Sequence, residues 1–490
     1  MNKALFVSSK KLCAIVAVAA GAWLATSCAD TYDGDETFDS GVHNSQMASP
    51  AEGEITITPN TAGDQMTIAW PVVYGASGYE VTLYDMSDES TPIVSQTVDG
   101  CSLTAPREED MNYKFIIRTL GDASKNNADA TTATEKLFST FEASFAAIPE
   151  GDLYEYFQRN PIPDDAPAED LNFDLTPGGQ YTLSGLVDFG KHQVTLRTVS
   201  KTNNAVITYG EAGSLATCSG FKLKYLTLNC AASTQPVIAL SETPDPSILD
   251  ADNNNHHQIT EPITIQNCYI MNVVRNLLFD NKVKYCVKDF TINNSVVKFT
   301  PDDKMSSQAY FQIYDGGGFI NDFTATNCTF WGATDNKVNY FLRYNNAGRC
   351  DRAGYLTNSI NIVNCTFYNI AKEGQMANHS GFDGRATSNY DLRNNIFVEC
   401  GSGQVPRRFV GRQNNTAQNS WGYNTYWFNG APETEGFSTN SYDLSTNALQ
   451  SDPAFVDAAS GNFTPTGAEQ VARQTGDPRW WQSGYSLPNL

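Results

Sequence analysis

The sequence predicts an all-β protein, a β-sandwich followed by a right-handed parallel β-helix. Two observations carry this reading. Between residues 260 and 430 one phrase recurs six times: apolar, polar, apolar, polar, Asn, small, any residue, apolar. Upstream, residues 52–147 hold short alternating strands (ITITPNTAGDQMTIAWPVV, GYEVTLYD, CSLTAP, NYKFIIRTL) at sandwich spacing.

The phrase reads ITIQNCYI around Asn267, FTINNSVV around Asn294, FTATNCTF around Asn327, INIVNCTF around Asn364 and YDLRNNIF around Asn394. A degenerate last copy, SWGYNTYW, is centred on Asn424. The asparagines are 27, 33, 37, 30 and 30 residues apart, which is solenoid spacing. Each copy is a strand with one apolar face that only stacking can bury. Asparagine tolerates the left-handed bend at the strand end, and stacked amides form a ladder, so these six are structural. HQVTLRTV (192–199) and FKLKYLTL (221–228) place Thr198 and Tyr225 in that slot and read as first coils, preceded by GGQYTLSG (178–185). Long loops at 231–261, 331–359, 371–389 and 401–419 leave the stack, and such loops usually carry function.

Lys3, Lys10 and Lys11 precede the apolar run LCAIVAVAAGAWLA and then Thr-Ser-Cys, the pattern of a secretory signal. No other segment is apolar enough to span a membrane. The acidic, polar residues that follow form a tether over 28–51. A Pro- and Asp-rich stretch, NPIPDDAPAED, marks a linker over 148–170, before a β-helix over 171–470 and a tail over 471–490.

Of 11 cysteines, nine remain once Cys13 and Cys28 are set aside, an odd number that argues against a complete disulfide framework. Cys268, Cys328 and Cys365 share the slot after the asparagine with Ser295, Asn395 and Thr425, a column of small residues rather than a metal or redox centre. The net charge is −22, but the window 337–412 holds ten bases against five acids, and eight of the ten are arginines. Scattered bases on an acidic chain exclude nucleic acid as a partner. Arginine grips planar carboxylates through paired hydrogen bonds.

If the asparagine points inward, residues one and three before it point outward. The last two coils then present Asp391, Arg393, Trp421 and Tyr423, with Arg385, Arg407 and Arg408 in nearby loops. Aromatic platforms with arginine clamps suit a uronate-bearing sugar chain. The alternative is that Trp421 and Trp427 cap the open end of the stack.

Several resemblances extend this reading. The LATSC ending resembles a bacterial lipoprotein signal, which implies removal of residues 1–27 and lipidation of Cys28; an ordinary signal peptide is the alternative. The acidic stretch behind it resembles an outer-surface export signal of the Bacteroidota, implying a lipid anchor in the outer membrane, facing out. Trp70, the Gly78-Tyr79-Glu80-Val81 strand start and Tyr113 resemble a fibronectin type III module. The β-helix with its asparagine ladder resembles the pectate lyase superfamily over about residues 170–470. That resemblance implies β-elimination of uronate chains, with Arg393, Arg407 or Arg408 as base and Asp383 or Asp391 as Ca²⁺ ligands. Calcium needs six to eight oxygens, and the outward column supplies one carboxylate, so the groove departs from the family where catalysis would lie. No cofactor is expected, and Ca²⁺ only for a lyase. The whole arrangement, with the tail SDPAFVDAASGNFTPTG and GDPRWW, resembles surface lipoproteins of polysaccharide-utilisation systems. It implies capture of an acidic glycan beside other outer-membrane uptake proteins, with surface adhesion as a third alternative.

Overall fold

A computed structural model describes residues 41–250, 254–332, 337–345, 350–351, 353–379, 385–410, 417–433, 443 and 445–488. The expected signal, Cys28 and most of the expected tether lie outside these residues. The chain divides into two units, residues up to Glu108 with Tyr113–Phe138, and Glu109–Asn112 with Ser139 onward.

The first unit is a sandwich of a 3-stranded and a 4-stranded antiparallel sheet. Trp70 is buried at its centre, with Tyr79 edge-on at 5.4 Å and Phe115 at 5.8 Å. The Tyr113 hydroxyl accepts the Glu108 N–H at 2.8 Å, pinning the chain ahead of its own strand as a tyrosine corner does. The sandwich starts earlier than the sequence suggested. The Met47 N–H donates to Ala128 O and the Met47 side chain is buried, so residues 41–51 belong to it rather than to the tether.

The second unit is a parallel β-helix of three sheets. The first runs from Ala146–Ile148 through Leu171–Leu175 and every repeat phrase to Gln418–Gly422; the second runs from Gly151–Asp152 to Thr425–Phe428. The third runs from Leu186–Asp188 to Gln375–His379. GGQYTLSG lies in the second sheet, not in the phrase's slot. Inside, like residues stack coil on coil. Phe330, Phe367, Phe397 and Tyr426 form one pile, with centroids 4.9, 4.7 and 5.7 Å apart.

Corner residues carry the predicted left-handed backbone: Asn267, Asn294, Asn327, Asn364 and Asn394 all have φ between 44° and 58°, as does Tyr225. Amides of Asn327, Asn364 and Asn394 bond in a ladder at 3.2 and 3.1 Å. The small column behind them is a second ladder. Cys268, Cys328, Cys365, Asn395 and Asn424 each donate to a carbonyl of the preceding coil, and the cysteines are free thiols. This corrects the last copy. Leu392 pairs with Trp421 and Arg393 with Gly422, so Tyr423 (φ 54°) takes the corner and Asn424, not Thr425, takes the small slot.

The predicted linker over 148–170 instead includes the N-terminal cap. Asp152 accepts the Glu155 N–H to start helix Leu153–Arg159, which buries Leu153 and packs Phe157 against Phe173 and Phe189. The predicted tail over 471–490 is also built in, through Trp480, whose indole donates to Thr329 Oγ1 at 2.8 Å.

Candidate functional site: the outer face of the first sheet

Alternation leaves every second residue of the first sheet on its outer face. There the coils present Thr264, Thr291, Thr324 and Asn361 in one row and Gln266, Asn293, Thr326, Val363 and Arg393 in the next. A third row, two residues further upstream, holds Asp289, Asp322 and Ser359 in register.

The chemistry concentrates on this third row. The Lys288 ammonium donates to Asp322 Oδ2 at 2.6 Å and to Asp289 Oδ1 at 3.2 Å. Asp322 also accepts Ser359 Oγ at 2.8 Å and the buried Asn321 amide at 2.8 Å. Asn361 donates to Ser359 Oγ at 3.2 Å and to Thr324 Oγ1 at 3.3 Å, linking the rows. The Tyr355 ring lies 5.2 Å from the Lys288 ammonium, and its hydroxyl donates to Gln258 at 3.2 Å. Burial works against the Lys288 cation, but its bonds to Asp322 and Asp289 outweigh it, and the pKa rises above the ordinary lysine value. Lys288 is therefore held as a cation.

The residues expected from sequence do not all converge here. Asp391 and Arg393, two apart on strand Ser388–Arg393, share the outer face as predicted. They grip each other: Arg393 Nε donates to Oδ1 at 2.5 Å and Nη2 to Oδ2 at 2.6 Å. This pairing raises the guanidinium pKa further. Arg385 faces Asp351 at 3.9 Å, both largely exposed. Arg407 sits half-buried on the short helix Val405–Val410. The Arg408 side chain and Asp383 lie outside the described residues. Trp421 does not line a groove. Its slot is inward, where the ring packs on the core 6.5 Å from Tyr390. Tyr423 stands at the corner with the Arg473 guanidinium 3.8 Å from its ring centroid.

Among the described residues no group of three or more His, Cys, Asp or Glu side chains is placed to hold a metal ion. Both oxygens of Asp391 are engaged by Arg393, so calcium there would have to displace a guanidinium.

Three family models match the chain. All three are domains of unknown function: DUF4992 over residues 1–176, DUF4957 over 179–333 and DUF5123 over 360–480. None of the curated proteins matches. Among solved structures, pectate lyase Pel3 from Pectobacterium carotovorum is 11% identical, covering 72% of this chain and 87% of its own, with a TM-score of 0.17. Pectate lyase PelI from Erwinia chrysanthemi, in complex with tetragalacturonic acid, is 10% identical over 68% and 88%, with a TM-score of 0.14. A structure titled FN3tt mut is 13% identical, covering 20% of this chain and 98% of its own, with a TM-score of 0.16. The fold assignment rests on the chain's own three parallel sheets.

Proposed function

We propose that this chain binds a pectin-like, uronate-bearing polysaccharide along the open outer face of its first sheet and holds it without cleaving it. In the same reading a lipid on Cys28 anchors the protein in the outer membrane, facing out. One observation carries the binding site: a row of short hydroxyl and amide side chains runs between two protein-held cations. Lys288 and Arg393 are three coils apart, roughly 14 Å across the strands, and because Arg393 is in register with Asn293 they are also five positions apart along them, roughly 17 Å. Between them stand Thr324, Thr326, Ser359 and Asn361, with the Tyr355 ring beside Lys288. Arg393 uses two of its five N–H donors on Asp391 and is more than half exposed, which suits a second carboxylate at its outer edge.

Binding is favoured over elimination because a base must release its own proton before it can take one from carbon. Lys288 and Arg393 are both stabilised in the charged form by bonded carboxylates. Titration calorimetry with short oligogalacturonates should give saturable heat that EDTA leaves unchanged, and no unsaturated uronate product. Lys288→Ala and Arg393→Ala should each weaken binding about ten- to a hundredfold, the value of a charge-assisted hydrogen bond. Continuing product formation, lost on adding EDTA, would instead establish a calcium-dependent lyase.

A further inference from the structure

The second sheet carries a different kind of pocket. Strand Val296–Phe299 turns Lys298 outward, and the next two coils place Trp331 and then Tyr368 in the same register. The C-terminal segment covers the two aromatics, with the Phe463 ring 5.5 Å from each. At Gly461 (φ 84°) the backbone comes so close that a Cβ would stand 2.7 Å from the Trp331 ring, so this wall requires glycine. Between this segment and the sheet lies a cavity of about 450 Å³ lined by Asn272, Lys298, Trp331, Asn462, Trp480 and Tyr485 among others.

Lys298 differs from Lys288 and Arg393, each of which bonds a carboxylate. The Lys298 ammonium lies 4.4 Å from the Trp331 ring centroid, and among the described residues no carboxylate is within ion-pair reach of it. A half-enclosed cavity of this size, with an aromatic wall, amides, hydroxyls and a cation bound to no acid, has the composition of a small-ligand site. The ligand it fits is one anionic sugar ring. The sugar's carboxylate would take Lys298, its hydroxyls Asn272 and Asn462, and its C–H face the partly exposed Tyr485 ring.

We propose that this cavity is a second saccharide site, specific for a single uronate residue and independent of the outer face of the first sheet. It shares a ligand class with the proposed function but no residues, so either reading can fail alone. The test is tryptophan fluorescence of the purified full chain titrated with galacturonate, with neutral galactose as control. Galacturonate should give a saturable change that galactose does not. Lys298→Met, which keeps the apolar stem over the ring, should weaken galacturonate binding at least about tenfold. Trp331→Phe should diminish the fluorescence change, Trp480 in the same lining reporting the remainder, and Arg393→Ala should leave it intact. Equal response to galactose, full affinity in Lys298→Met, or no saturable change would overturn the proposal. Loss of the signal in Arg393→Ala would also overturn it, by placing the sugar on the first sheet.

Discussion

The two long sheets are built by the same alternation, yet their outer faces have opposite fates. On the first, Thr264, Thr291, Thr324 and Asn361 remain partly accessible, and the charges among them are tied to one another. On the second, Trp331 and Tyr368 meet Phe455, Phe463 and Trp480, forming a hydrophobic cluster outside the solenoid core. Alternation therefore says that a side chain leaves the core, but not what it meets. The type of residue leaving carries that information. Short polar side chains in consecutive coils mark an open face, and large aromatics in consecutive coils mark a face that later chain will cover.

The largest effect expected from this contrast is on stability. Trp480 is 2% exposed, packs on Phe463 at 5.5 Å and donates to Thr329. Trp480→Ala should cost about 3–5 kcal/mol, as buried aromatic truncations do. Arg393→Ala, on the open face, removes an exposed ion pair and should cost less than about 1 kcal/mol. Urea unfolding of the two variants measures the difference. Equal losses would mean that the C-terminal segment is not a true cover.

A second effect separates carboxylates held by cations from one held by backbone alone. Asp322 and Asp391 each have a cationic partner, whereas fully buried Asp280 accepts the N–H groups of Gly316 and Lys282. Burial outweighs those bonds and pushes its carboxyl up to about 6. The folded value exceeds the unfolded one of about 3.9, so the folded state binds this proton more tightly. The sign follows: Asp280 destabilises the fold when ionised, above pH 6, and that cost is relieved as the pH falls from 7 towards 4. Relative to Asp280→Asn, the native chain should gain on the order of 2–3 kcal/mol over that range. A parallel pH dependence of the two proteins would show that Asp280 titrates normally.

Much of this architecture is legible in the sequence because each coil repeats its own local requirement. The corner needs a left-handed residue and asparagine supplies it, so the repeat announces both period and register. The last copy misleads for a physical reason. An amide also suits the small inner column, as Asn395 shows, so Asn424 was aligned with the wrong slot while Tyr423 turned the corner. That one-residue slip turned Trp421 from groove to core. The Lys288 cluster was missed because the phrase was compared only four residues ahead of the asparagine. One residue further, VKDF and INDF set Asp289 beside Asp322. The covered face had no local signal, since Trp480 and Thr329 are 151 residues apart.

The smallest effect tests the open face most directly. Val363 is the apolar member of the row that runs Gln266, Asn293, Thr326, Val363, Arg393. It is only partly buried, so Val363→Thr should change stability by no more than about 0.5 kcal/mol. If a glycan lies along this row, the new hydroxyl stands between two groups that already contact it. One additional neutral hydrogen bond, about 1 kcal/mol, should tighten oligogalacturonate binding roughly fivefold. The matching change on the other sheet, Tyr368→Thr, removes a ring packed at 5.5 Å on Phe463 and should lose stability instead. A gain of affinity from the first change and a loss of stability from the second would show that two outward columns of one solenoid serve different purposes. An unchanged affinity in Val363→Thr would move the glycan off this row and leave Lys288 and Arg393 as separate surface ion pairs.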